Sequence, residues 1–180
     1  MQKIYRVIDN PLYNMANYRG KKSFGERQEY IVIAELLKNG YDVYKTLVDD
    51  QGIDCVIRKD TSNGPRYIDL QIKALSRKTK KQNAGLFAAL EISNPRENYL
   101  FIFYSEWLDT KWIIPSLYLV EKASENKKGK NVGKYTINLT RMNKKEPIAN
   151  ERFDKYKDEN GFKMLDDIFN KISDCPPSNH

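Results

Sequence analysis

An α/β or α+β sandwich is the fold class this sequence predicts, and three observations carry it. A capped helical segment opens the patterned region, three runs rich in β-branched and aromatic residues follow it behind turn signals, and an amphipathic helical face closes it. At 180 residues with 40% hydrophobic side chains, the chain has the size of one domain around one ordinary core. No repeat or Gly/Ser/Pro-rich linker divides it, so residues 1–21 read as an N-terminal extension, 22–173 as a single folded domain and 174–180 as a flexible tail.

Ser23 with Glu26 three residues on has the spacing of a capping box, and the helix it predicts runs to Asn39-Gly40, where the glycine supplies the stop. Tyr30, Ile33, Ala34 and Leu37 share one face of that helix. Residues 41–47, 53–58 and 66–75 read as strands, and Ser62-Asn63-Gly64-Pro65 turns the second back on the third, so the three are consecutive and antiparallel. Further strands are expected over 99–104 and 112–120, joined by a turn at Asp109-Thr110, and over 134–139. The run 86–92 fits helix or strand, because a short apolar stretch has no decisive period. Phe162, Leu165, Ile168, Phe169 and Ile172 fall on one helical face and predict a closing helix.

Composition excludes several chemistries. The single histidine is His180, at the end of the sequence, which removes Ser-His-Asp and Cys-His hydrolases and metal sites of the His-Glu-x-x-His kind. Two cysteines, Cys55 and Cys175, are too few for a zinc ribbon or a disulfide framework, so a metal here would be a hard cation held by oxygens. Thirty-one Lys and Arg against 24 Asp and Glu leave a net charge of +7, which makes a polyanion a partner to test. No apolar run reaches signal-peptide or membrane-spanning length, and the expectation is a soluble, reducing, cytoplasmic protein without membrane contact.

In the third strand Asp69, Gln71 and Lys73 alternate with Ile68, Leu70, Ile72 and Ala74, so the polar three share one side. By itself this is the pattern of any half-buried strand. The neighbouring strand adds Asp54 inside the apolar run Ile53, Cys55, Val56, Ile57, where a charge needs a reason. If the hairpin closes with Arg58 near Arg66, antiparallel pairing sets Asp54 opposite residues 70–72, within reach of a cation shared with the Gln71 carbonyl, and Lys73 lies one pleat along. Oxygen ligands for Mg²⁺ beside an ammonium group suit phosphodiester hydrolysis and need no histidine.

These residues resemble the PD-(D/E)XK nuclease superfamily, which has an aspartate on one strand and an acidic-x-lysine triplet on the next. Gly52-Ile53-Asp54-Cys55-Val56-Ile57 is similar to the first half, and Ile68-Asp69-Leu70-Gln71-Ile72-Lys73-Ala74 to the second in its glutamine variant. Gly25-Glu26-Arg27-Gln28-Glu29, Ala34-Glu35-Leu36-Leu37 and Gly40-Tyr41-Asp42-Val43 resemble the first helix and strand of Mrr-like restriction endonucleases and archaeal-type Holliday-junction resolvases. The likeness covers residues 23–75 well and the remainder in outline. It implies a restriction-endonuclease-like core, a central mixed sheet flanked by helices. It also implies Asp54 as principal metal ligand, Gln71 and the Ile72 carbonyl as further ligands, Lys73 as the catalytic lysine and Glu29 as the helix glutamate. Glu26 is explained by the capping box. Gln71 departs from the acidic pattern and removes one negative charge, which Asp69 on the same face would restore. The implied cofactor is Mg²⁺, with Mn²⁺ as substitute.

The basic run Arg77-Lys78-Thr79-Lys80-Lys81 leaves the end of the third strand, a suitable place to engage phosphates flanking a scissile bond, and equally an ordinary solvated loop. Lys127, Lys128 and Lys130 read as solvated. Gly129-Lys130-Asn131-Val132-Gly133-Lys134 resembles a phosphate loop only superficially, being one residue short with Tyr135 where Ser or Thr is needed. Asp49 and Asp50 read as turn residues, Trp107 and Trp112 as core more than base-stacking surface, and Cys55 as inert packing. The functional expectation is a metal-dependent DNA endonuclease in restriction, defence or repair, with RNA open as a substrate and a homodimer favoured if both strands are cut. The alternative is an inactive nuclease-fold domain that binds nucleic acid or a partner protein.

Overall fold

The computed structural model describes residues 21–47 and 52–173. The expected extension (apart from Lys21) and the tail with His180 lie outside the described residues, as do Asp49 and Asp50. Helix α1 (Lys21–Lys38) leads into β1 (Asp42–Lys45), β2 (Cys55–Thr61) and β3 (Gly64–Leu75). After β4 (Leu86–Leu90) come β5 (Tyr99–Ser105), β6 (Thr110–Pro115) and the short helix α2 (Ser116–Lys122). The chain continues through β7 (Ser124–Glu125), β8 (Tyr135–Asn138), β9 (Thr140–Asn143) and β10 (Glu146–Ala149) to helix α3 (Asp158–Ser173).

Five strands form a central mixed sheet in the order β1-β2-β3-β5-β6, in which β3 and β5 run parallel and every other neighbour is antiparallel. This is the predicted α+β architecture, a mixed sheet flanked by helices. A three-stranded sheet (β4-β8-β7) and a two-stranded ribbon (β10-β9) complete it. The parallel step follows from topology: β4 and its flanking loops intervene between β3 and β5, long enough for the chain to return in the same direction.

Alternation along β3 divides the core. Ile68, Leu70 and Ile72 pack with Val32 and Leu36 of α1 and Leu165 and Phe169 of α3, whereas Phe101, Phe103 and Trp112 face a second cluster with Phe87, Leu119, Ile137 and Tyr156. Phe169 stacks on Tyr41 at 5.7 Å, and the Tyr41 hydroxyl donates to Asp166 at 2.6 Å, which fastens α3 to the start of β1. Burial foremost, then the Asp166 carboxylate, raises the Tyr41 pKa, so the phenol stays a donor. Cys55 is fully buried and its thiol is pushed up to about 12 by burial foremost, as inert packing requires.

Three expectations are corrected. The helix already runs through Ser23 from Lys21, so Ser23 is not its N-cap and the capping-box explanation of Glu26 falls away. The buried face of α1 carries Gln28, Val32 and Leu36, while Tyr30 and Leu37 are exposed, because apolar residues occupy more than one side of this helix. The strand expected over 112–120 ends at Pro115, which lacks an N–H, and Ser116–Lys122 is helical instead. The ambiguous run 86–92 resolves as β4.

Candidate active site

The β2–β3 hairpin closes through a two-residue turn, Ser62-Asn63, with Thr61 paired to Gly64. Lys59, not Arg58, lies opposite Arg66, and the register places Cys55 opposite Leu70. Continued one residue, it sets Asp54 opposite Gln71, inside the predicted window. The Asp54 N–H donates to the Leu70 carbonyl at 2.9 Å, and its carboxylate accepts the Ile72 N–H at 2.5 Å, so the side chain is bound to the backbone of the very strand that carries Lys73.

A cleft of about 800 Å³ opens between α1 and the ends of these strands, lined among others by Glu26, Glu29, Lys45, Asp54, Ile72 and Lys73. Four residues expected on sequence grounds, Glu29, Asp54, Ile72 and Lys73, therefore line one cleft, delivered by a helix and two segments of the hairpin. Gln71 and Asp69 are not part of that lining. Gln71 is buried behind it, and the Tyr99 hydroxyl lies 3.3 Å from both Gln71 Oε1 and the Gly52 carbonyl, donating its one proton between them. The Asp69 carboxylate is ion-paired with Arg96, whose guanidinium rests 4.8 Å above the Tyr99 ring. A continuous chain Asp69–Arg96–Tyr99–Gln71 thus fixes the amide, and Gly52 has no room for a side chain against it: a Cβ there would stand 2.7 Å from Gln71 Nε2.

Sequence reading missed Lys45 and undervalued Glu26. Lys45 Nζ lies 3.1 Å from Glu29 Oε2 and 4.0 Å from the Tyr30 ring centroid. Partial burial lowers its pKa, but the bond to Glu29 and the surrounding negative charge outweigh this and raise it, so Lys45 is cationic throughout the neutral range. No local signal marks Lys45, because its meeting with α1 depends on how β1 packs. Glu91, paired with Lys134, is held below the usual carboxylate range by that partner foremost, with Lys73 adding a smaller pull from the site side.

Only hard oxygen donors and ammonium groups are in position here, with no thiolate or imidazole. Among the described residues no three His, Cys, Asp or Glu side chains are close enough to hold an ion by themselves. Of the three carboxylates lining the cleft, Asp54 and Glu29, with the Ile72 carbonyl beside them and Gln71 behind, suit a small hard cation that retains much of its water, which is the habit of Mg²⁺.

The Arg77–Lys81 segment is a held strap. The Arg77 N–H donates to Glu106 at 2.8 Å, Trp107 Nε1 donates to the Thr79 carbonyl at 2.9 Å, and Arg77 and Lys81 lie 5.9 and 6.0 Å from the Trp107 ring centroid. Arg77, Lys78 and Lys80 remain exposed. Trp107 thereby supports the basic run, while Trp112 is fully buried core as expected.

No protein-family model and no curated protein matches the sequence. Among solved structures, the bacterial homing endonuclease I-Ssp6803I has a similar fold, with a TM-score of 0.56 at 19% identity over 85% of this chain and 99% of that one. A nuclease from a fusselovirus aligns over 86% of this chain and 94% of its own at 15% identity and a TM-score of 0.47. No helix among the described residues is long and apolar enough to cross a membrane. At such identities the likeness to the homing endonuclease is one of fold, a mixed sheet with flanking helices.

Proposed function

We propose that the protein is a metal-dependent nuclease of the PD-(D/E)XK type, hydrolysing phosphodiester bonds in DNA as an endonuclease in restriction, defence or repair. The observation that carries this reading is that Glu29, Asp54 and Lys73, from separate elements, line one cleft. The similar fold of a homing endonuclease supports it.

Asp54 and Glu29, with the Ile72 carbonyl and Gln71, would hold Mg²⁺, for which Mn²⁺ substitutes. When bound, the ion supplies Lewis acidity at the phosphate and lowers the pKa of a water. The Lys73 ammonium stabilises charge developing on the phosphate oxygens. Lys45 balances Glu29 and adds a second positive charge to the cleft wall. Asp69 acts at a distance, holding Arg96 and through it Tyr99 and Gln71. The strap residues Arg77, Lys78, Lys80 and Lys81 engage backbone phosphates on either side of the bond to be cut. Cutting both strands of a duplex calls for two such sites, hence a homodimer.

A second reading has two specific observations in its favour: Gln71 is neutral and buried, and Glu29 is already paired with Lys45. In that reading the fold binds nucleic acid or a partner protein without cutting it.

Supercoiled plasmid and single-stranded DNA incubated with Mg²⁺, Mn²⁺ or EDTA separate the two. Asp54→Asn is the appropriate control because the amide still accepts the Ile72 N–H, and Lys73→Ala is its companion. Nuclease action predicts metal-dependent cutting that falls by roughly 100-fold or more in both folded variants. Retardation of DNA without cutting in any metal would leave the binding reading in possession.

A further inference from the structure

We infer that the β9–β10 ribbon is a groove-inserting arm for duplex DNA, with Lys144 and Lys145 at its tip, continuous with the Arg77–Lys81 strap. The inference extends the proposed nuclease reading to the shape of its substrate.

The turn is the first observation. Asn143 pairs with Glu146, leaving a two-residue loop of Lys144 and Lys145 with φ of 53° and 106°. Both lie in the left-handed region, where two-residue hairpin turns take Asn-Gly or Gly-Gly because side chains there are strained. At its other two-residue turn, Ser62-Asn63, the chain instead places its left-handed backbone on the glycine that follows, Gly64 at φ 100°. Two lysines in strained backbone at the tip of an exposed ribbon are a departure that folding alone does not reward.

Exposure of the ribbon is the second. Arg141 to Glu146 are all exposed, and Met142 retains 46% of its surface. Because consecutive strand residues point to opposite faces, exposure of every one means that both faces stand in solvent. Among the described residues the ribbon hydrogen-bonds to no other sheet. It is anchored at its base, where the Leu139 N–H donates to the Gly85 carbonyl at 2.9 Å and Thr140 packs so closely that a Cβ on Gly85 would sit 2.4 Å from its Cγ2.

Charge and place are the third. Lys81 Nζ is 2.5 Å from Glu146 Oε1, and Arg141 is 2.5 Å from Glu151, so both nearby carboxylates are neutralised and the lysines at the tip dominate. The Lys81–Glu146 pair also ties the ribbon to the strap that begins at Arg77, shortly after Lys73. A bare two-stranded ribbon fits the major groove of B-DNA, about 12 Å wide, whereas A-form RNA closes that groove to it.

The test is binding in EDTA, where no cutting occurs, to a DNA duplex and an RNA duplex of equal sequence across a salt series. Lys144→Asn/Lys145→Gly removes the charges and relieves the turn, so the melting temperature holds or rises while DNA binding weakens at least about tenfold and the salt slope falls by about two contacts. Lys127→Ala/Lys128→Ala removes the same charge elsewhere and changes binding less than about twofold. The inference is overturned if the hairpin variant binds DNA like the wild type, if both double variants weaken binding equally, or if RNA duplex binds as tightly as DNA. Parallel plasmid assays of the wild type keep the readings apart: absent cutting with an intact hairpin effect removes the nuclease reading alone, and unaffected binding with persistent cutting removes this one alone.

Discussion

Gln71 is where the site departs most from an acidic triplet, and its surroundings state what the departure requires. The amide is 5% exposed, accepts from or lies beside the Tyr99 hydroxyl at 3.3 Å, and is backed by Gly52. A carboxylate at this position would be buried without a cation unless a metal ion supplied one, so its charged form is penalised by desolvation. Gln71→Glu is accordingly expected to lose roughly 1–3 kcal/mol of stability in EDTA. If Gln71 belongs to the metal site, Mg²⁺ then raises the melting temperature of Gln71→Glu more than that of the wild type, because binding to the folded state alone stabilises it. Thermal melts of both proteins with and without Mg²⁺ measure this directly, and an equal Mg²⁺ response in the two would remove Gln71 from the ligand set.

Helix α3 reaches the cleft only through other elements, and that makes it a test of how the site is supported. Phe169 is fully buried against Tyr41, the residue from which β1 departs toward Lys45. Phe169→Ala is expected to destabilise by about 3–5 kcal/mol in urea titration, since it removes a large side chain from a packed interior. The closing helix was legible in its periodic apolar face, and the β2–β3 hairpin in Asn63-Gly64 and the interrupted run around Asp54, with the register right to within one residue. Elements whose signals compete were not. Leu117, Tyr118 and Val120 suit a strand as well as the helix they form after Pro115, and α1 carries apolar residues on several sides, so pattern alone chose the wrong face. The ribbon formed by β9 and β10 escaped notice because its turn is Lys-Lys, which carries no turn signal. Lys45 escaped for a different reason: its partner Glu29 is sixteen residues away on another element, and such proximity is a property of packing.

At the scale of the whole molecule, the proposed nuclease reading makes the number of strands cut in one encounter depend on how many chains act together. Among the described residues a single cleft combines Glu29, Asp54 and Lys73, and in the proposed reading one such site would cut one strand at a time. A net charge of +7, with the strap and the ribbon on connected elements, favours retention on a polyanion between events. If the protein acts as a homodimer, supercoiled plasmid is converted to the linear form with little nicked intermediate, and sedimentation at the assay concentration gives about twice the 21.1 kDa chain mass. If it acts as a monomer, nicked circles accumulate first and linear DNA follows at a rate set by a second, independent event. Raising the salt distinguishes retention from dimerisation: weaker phosphate contacts shift a retained monomer toward nicked product, whereas a stable dimer slows without changing its product ratio. On the proposed homodimer we expect direct linearisation with a product ratio insensitive to salt, because its two sites would face the two strands of one duplex.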